Sequence, residues 1–296
     1  MEKILVAGAG GRLGSRVLKE LGRRGLRSRS LVRDRARLDA AGVRPGEVFV
    51  ADARERGALK GACDGVDAVV SALGASLALG RTRGGASYHS VDLGANLNLL
   101  KEAREAGVRK FVYVSLFGAE SLRGLAYVEA HEEFVAALGQ SGLDYAVVRP
   151  TGFFYVFGEI FKMARDRGRA LVIGPGDSRT NPVHEADVAR ACADALGGGG
   201  PREIPLGGPE TYTRREIAEL AFEALGTRPK ITSVPAGLML AAAAPLKLFD
   251  RRLSDLLEFG VAASLNDLVA PASGTRSLRE YFLELASKDP APARPI

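Results

Sequence analysis

The feature that most constrains this chain is a glycine-rich turn that begins at Gly8. A short apolar run, Ile4–Ala7, enters Gly8-Ala9-Gly10-Gly11-Arg12-Leu13-Gly14, and a helical pattern follows at once. The spacing Gly8, Gly11, Gly14 lets the backbone turn tightly and come close to a pyrophosphate. The next helix then points its free N–H groups and positive end at that charge. Glycines alone mark any turn, but between the first strand and first helix of a βαβ unit they mark a dinucleotide site. Gly8, Gly10, Gly11, Arg12, Leu13 and Gly14 are therefore the candidate cradle.

The residues up to Pro150 repeat that strand-then-helix alternation, which is the signature of a parallel sheet covered on both faces. Strands are expected at Ile4–Ala7, Arg29–Val32, Val48–Val50, Ala68–Ser71, Phe111–Val114 and Tyr145–Arg149. Helices are expected near Leu13–Arg24, Arg54–Ala62, Tyr88–Ala106 and Val128–Gln140. The fold class is thus α/β, a Rossmann-type doubly wound sheet, with residues 1–150 as the NAD(P)-binding domain. After Pro150 the pattern changes to an aromatic-rich helix, a short strand at Leu171–Ile173, and helices near Glu185–Leu196, Arg214–Leu225 and Leu238–Phe259. Residues 151–296 read as a smaller substrate lobe, partly interleaved with the first domain. At 296 residues the chain is long enough for both.

The end of the second strand chooses between coenzymes. An acidic side chain there accepts from a free ribose 2′-OH, whereas arginine accommodates a 2′-phosphate. Leu31-Val32-Arg33-Asp34 offers both, arginine first, and Arg12 and Arg37 add forked donors nearby. NADP(H) is the expected cofactor, and NAD, held by Asp34, is the second choice. Residues 1–60 carry 15 lysines and arginines against 7 acids, a local excess of +8 that leaves −2 for the rest of the chain. A phosphate-binding turn accounts for that excess without nucleic acid, and the arginines between Arg23 and Arg29 lack the interleaved aromatics that single strands stack upon.

Other classes are excluded by what the chain lacks. Two isolated cysteines, Cys63 and Cys192, make neither a disulfide framework nor a zinc cluster. The longest apolar run, residues 236–244, falls well short of the ~20 residues needed to span a bilayer, and no secretory signal is visible at the start. A cytoplasmic protein is expected, with a homodimer left open.

Taken in order, GAGGRLG, LVRD, ADARE, DAVVSALG, FVYVS and VVRPTGFF make nearly the full chain resemble an atypical or extended short-chain dehydrogenase/reductase of the NmrA-like, isoflavone-reductase-like group. The resemblance implies that Asp52 and Ala53 flank an adenine and that Ala72, Leu73 and Gly74 line the middle of the cofactor. It also implies that Pro150, Thr151, Gly152 and Phe153 edge the nicotinamide. At the reacting end it implies Ser115 after the fifth strand, Tyr127 as proton donor, and a lysine four residues later. Here that lysine is His131, expected to reach the cofactor ribose.

The replacement has a chemical consequence. A lysine beside a tyrosine stabilises phenolate, and a histidine gives little of that help at neutral pH. A tyrosine left near its ordinary pKa of ~10 donates a proton far better than it takes one, which favours reduction over oxidation. The expected activity is reduction of a small apolar enone, carbonyl or quinone by NADPH. The alternative is a non-catalytic NADP(H)-binding sensor or assembly protein. The aromatic cluster from Phe153 to Phe161 is expected to wall an apolar pocket with few charges to grip an acidic substrate. Asn181-Pro182-Val183-His184 and Asp187 read as a turn and helix cap rather than a metal site.

Overall fold

A computed structural model describes residues 3–43, 46–74 and 87–288. The core is a seven-stranded, wholly parallel sheet. Its strands are β1 (Lys3–Ala7), β2 (Arg27–Val32), β3 (Glu47–Val50), β4 (Ala68–Ser71), β5 (Lys110–Val114), β6 (Asp144–Pro150) and, after two shorter strands, β9 (Glu203–Leu206). Their spatial order is β3-β2-β1-β4-β5-β6-β9, so the direction of winding reverses between β1 and β4. In open α/β sheets that crevice, at the carboxyl ends of the strands, is where ligands bind.

Alternation along each central strand builds two cores at once. Ile4, Val6, Val70, Val112 and Val148 face one side, where they meet Val17 and Leu21 of α1 (Arg12–Arg23) and Val188 and Cys192 of α6 (Glu185–Asp194). Leu5, Val69, Phe111, Tyr113 and Val147 face the other side, against Leu99 and Ala103 of α3 (Ala95–Glu105) and Phe134 and Leu138 of α4 (Ala126–Gly139). Strands buried on both faces are continuously apolar rather than alternating, as β4 and β5 are. The short α2 (Ala36–Ala40) stands beside the mouth of the crevice.

The carboxyl-terminal part adds β7 (Ala170–Ile173), paired in parallel with β11 (Ile231–Val234), and an antiparallel ribbon of β8 (Arg179–Thr180) and β10 (Tyr212–Thr213). A third core joins Phe154, Phe157 and Phe161 of α5 (Phe154–Arg167), Ile217 and Phe222 of α7 (Arg214–Ala224), and Phe282 of α11 (Leu278–Lys288). Between them lie α8 (Ala236–Ala243), α9 (Leu246–Phe249) and α10 (Arg251–Leu265). This half also returns α6 and β9 to the main sheet, and β9 tolerates Pro205 because it is an edge strand.

Three expected helices take another form. Gly57 and Gly61 (φ +83°) leave only a 3₁₀ turn at Arg56–Leu59 in place of Arg54–Ala62. The helix read from Tyr88 opens with a π-helical turn, His89–Gly94, before α3. The stretch Leu238–Phe259 is broken at Pro245 and at Asp250, whose carboxylate caps α10 by accepting from the Leu253 amide at 3.0 Å.

Candidate functional site

The glycine turn leaves β1 with Gly8 at φ +74°, a left-handed conformation that any side chain would strain. A Cβ there would lie 2.6 Å from the Ala72 carbonyl oxygen at the end of β4. A Cβ on Gly14 would stand 2.2 Å from the Gly8 carbonyl oxygen, so only glycine lets α1 start this close to the turn. Gly11 caps α1 without a side-chain bond, and the first turn holds no acid. The amides of Arg12, Leu13 and Gly14 therefore open the helix with no intrahelical acceptor, the donor set that suits a pyrophosphate.

Beside the turn is a cavity of about 140 Å³, bordered by Gly8, Gly10 and Gly11, by Arg33 and Arg37, by Asp52 and Ala53, and by Ala72, Leu73 and Gly74. Arg33 and Arg37 are exposed at its rim. The two acids nearby are held differently, Asp34 by a single backbone amide on one oxygen and Asp52 by a guanidinium on both. Asp34 accepts from the Ala36 amide at 2.9 Å, and Asp52 accepts from the Arg54 amide at 3.0 Å and from its guanidinium at 2.6 and 3.1 Å. That Arg54 pairing holds the Asp52 carboxyl below the usual carboxylate range, with Arg33 adding to the effect. Arg12 stands elsewhere: its guanidinium carbon is 5.1 Å from the centre of the Tyr155 ring, at the wall of a second cavity. Arg37 borders the first cavity beside Arg33 and also shares a further open cavity at the glycine turn with Arg12.

The second cavity, about 360 Å³, collects Ser115, Tyr127 and the run Pro150, Thr151, Gly152 and Phe153 on one side. Tyr155, Phe157, Leu256 and Phe259 close the other. Tyr127 lies in the first turn of α4, packed edge-on against Tyr88 (5.0 Å between ring centres), His131 (4.7 Å) and Phe259 (4.6 Å). Burial, then Asp92 and the other tyrosines, push its hydroxyl well above the ordinary tyrosine pKa. Ser115 borders the cavity but its hydroxyl is drawn to an ion network, donating to Glu132 at 3.3 Å and accepting from Arg149 at 3.4 Å. Thr151 is buried and donates to the Asn181 carbonyl at 2.5 Å.

His131 corrects an expectation. It is 3% exposed, borders neither cavity, and is enclosed by two residues that the sequence reading missed. The Tyr113 hydroxyl lies 2.6 Å from its Nδ1, and Asp92 Oδ1 lies 3.4 Å from its Nε2. Burial holds the Tyr113 hydroxyl well above its ordinary pKa, so the phenol beside Nδ1 stays neutral. The side chain thus ties β5 to the π-helical turn. Nothing in local spacing announces Asp92 or Tyr113, since the three residues come from separate elements.

The Asn181–Asp187 segment is a clamp. Asn181 accepts from the Ala270 amide at 3.0 Å and donates to the Ala270 and Gly208 carbonyls at 2.7 and 3.2 Å. His184 Nδ1 caps α6 by accepting from the Ala186 amide at 3.0 Å, and Asp187 accepts from the Thr275 amide at 3.2 Å and its hydroxyl at 3.0 Å. Among the described residues no group of three or more potential ligands could hold a metal, and no helix is long and apolar enough to cross a membrane.

A doubly wound parallel sheet, a glycine turn at its switch point and an adjoining cavity at the carboxyl ends of the strands define a dinucleotide-binding protein of the oxidoreductase type. A family model for NAD(P)H-binding proteins matches residues 8–197, and the chain belongs to that family. Among curated relatives, divinyl chlorophyllide a 8-vinyl-reductase of Zea mays, a chloroplastic protein, is 33% identical over 87% of this chain and 68% of its own length. The photosystem II assembly factor Ycf39 of Guillardia theta is 26% identical over 51% of this chain and 48% of its own. Among solved structures, an NADPH-dependent quinone oxidoreductase of Escherichia coli complexed with NADPH superposes with a TM-score of 0.77. It is 24% identical, covers 95% of this chain and 99% of its own, and shows the shared fold.

Proposed function

We propose that the chain is an NADPH-dependent reductase of a small, largely apolar acceptor such as an enone, carbonyl or quinone. The observation that carries the proposal is that Tyr127 and Pro150–Phe153 border one apolar cavity at the carboxyl ends of the strands. The bare amides from Arg12 to Gly14 would hold the pyrophosphate, and Ala53, Leu73 and Gly74 would flank the adenosine. Arg33, with Arg37 beside it, would take the 2′-phosphate. Arg54 engages the Asp52 carboxylate, and two guanidinium groups, Arg33 and Arg37, stand at the rim of the cavity, which favours NADP over NAD. When bound, the coenzyme supplies a hydride.

The protein's own part is position and a proton. The apolar walls exclude water from the acceptor, and Gly152 leaves the rim low enough for a flat ring. Tyr127, its hydroxyl kept protonated by burial, donates to the oxygen or carbon that becomes electron-rich. The Zea mays relative, named for reducing a vinyl group, and the quinone-reducing Escherichia coli enzyme support an unsaturated or quinonoid acceptor. We place the activity in the cytoplasm, where the two buried free thiols would stay reduced.

The test is NADPH oxidation, followed at its absorbance, with panels of enones, aldehydes and quinones. Turnover of at least one class is expected. A second reading, an NADP(H)-binding assembly protein, is favoured by one feature: His131 is committed to Tyr113 and Asp92 and lies away from the cavity. Saturable NADPH binding with no oxidation by any acceptor would select it.

A further inference from the structure

The cavity faced by Tyr127 is apolar apart from a few charges, and one of these is a cation that makes no ion pair among the described residues, its nearest acid, Asp267, acting on it only through space. Arg214 is the first residue of α7 and borders the cavity across from the Pro150–Phe153 rim. Its Nη2 donates to the Ala263 carbonyl at 2.5 Å, and its guanidinium carbon is 5.7 Å from the centre of the Phe157 ring. Its Nε is buried and has no hydrogen-bond partner. Among the described residues no carboxylate lies within ion-pair distance of it. Glu216, two residues on, is bent back to the Thr213 amide at 2.7 Å in a capping box, and Asp267 is held by Arg179 at 2.8 and 3.0 Å.

The placement is unfavourable twice over. A cation at the amino-terminal end of a helix opposes the helix dipole. A guanidinium withdrawn from water into apolar walls also loses hydration that only an anion or several carbonyls can replace. Burial lowers the Arg214 pKa to about 10, which leaves it charged at neutral pH. An arginine serving structure alone would be expected to have its donors satisfied by protein, whereas here Nε is left over. Among the few described charges that line the cavity, Arg214 is the one with a buried, unpartnered donor.

We propose that Arg214 anchors a carboxylate on an otherwise apolar substrate. The acid group docks on the guanidinium, a fork that suits two carboxylate oxygens. The apolar body then lies along Phe157, Leu256 and Phe259, with its reducible end toward Tyr127 and Gly152. The assignment of that reducible end rests on the reductase reading, but the anion subsite does not. Substrate choice would therefore be set by one side chain from the carboxyl-terminal half, acting on a molecule whose reacting atom is positioned by the other half.

The experiment is calorimetric titration of the protein saturated with NADPH, using naphthoic acid and its methyl ester as a matched pair. The acid is expected to bind at least about tenfold more tightly than the ester to the wild type, the scale of a charge-assisted contact. Arg214→Met should erase that preference and Arg214→Lys should keep part of it, with melting temperature and NADPH binding showing that each variant is folded. Equal affinity of acid and ester for the wild type overturns the proposal even if no variant folds. So does an acid that fails to bind, or a preference that survives Arg214→Met. NADPH oxidation by a neutral quinone, run alongside, separates the two readings. Quinone turnover without acid preference removes the anchor and keeps the reductase. Acid preference without turnover of any acceptor keeps the anchor and removes the reductase.

Discussion

The two cavities differ in what builds them. The dinucleotide cradle is made largely of backbone: a left-handed glycine, helix amides without acceptors, and close approaches that no Cβ would permit. Its residues come in short consecutive runs at the ends of neighbouring strands. The substrate cavity is made of side chains from α4, α5, α7, α10 and the segment after β6, far apart in sequence. A site of the first kind tolerates little change and reads the same phosphates in many proteins. A site of the second kind can be respecified one side chain at a time without disturbing the first.

The largest effect should come from breaking the backbone site. Gly8→Val forces a Cβ into the Ala72 carbonyl and strains a positive φ, so saturable NADPH binding should be lost, with a lower melting temperature; fluorescence titration and calorimetric melting would check both. Next comes the polar group of the second cavity. Tyr127→Phe should lower kcat by about 10²–10⁴-fold while leaving NADPH affinity within about twofold, a split that steady-state kinetics with binding would show. Arg33→Ala sharpens the comparison at the polar end. NADPH binding should weaken by about 1.5–3 kcal/mol and NADH binding should scarcely change, as read by calorimetry; equal losses would mean that Arg33 does not read the 2′-phosphate.

The smallest effect concerns the seam between the regions, where His184 caps α6. Burial first, then the charges of Arg276 and Arg16, lower its pKa from 6.5 to about 4. The unfolded chain therefore takes up a proton that the folded one refuses. Stability from this group is complete above about pH 6.5 and declines as the pH falls toward 4, by about 2 kcal/mol at pH 5. Denaturant titrations from pH 7.5 to 5 should show that slope, and His184→Asn, which preserves a cap, should flatten it.

The same contrast explains what could be read in advance. The glycine turn, the six amino-terminal strands and the arginine after β2 are legible because each is a local pattern with a local cause. The seventh strand is not, because a proline and a preceding run of glycines hide four residues whose pairing is decided by an open sheet edge. The expected helix at Arg54–Ala62 fails on two glycines that outweigh its periodicity. His131 shows the limit most clearly. The family resemblance implies a side chain turned to a ribose, and only the fold reveals Tyr113 and Asp92 closing around it. Arg214 is invisible for the same reason, since its significance lies in the carboxylates that are engaged elsewhere.

The most direct test of the account is the crystal structure of the protein with NADPH. The account predicts pyrophosphate on the amides that open α1, the 2′-phosphate at Arg33, and the nicotinamide against Gly152 with its exposed face toward Tyr127. A coenzyme absent from the turn at saturating concentration, or a nicotinamide directed away from the apolar cavity, would contradict it.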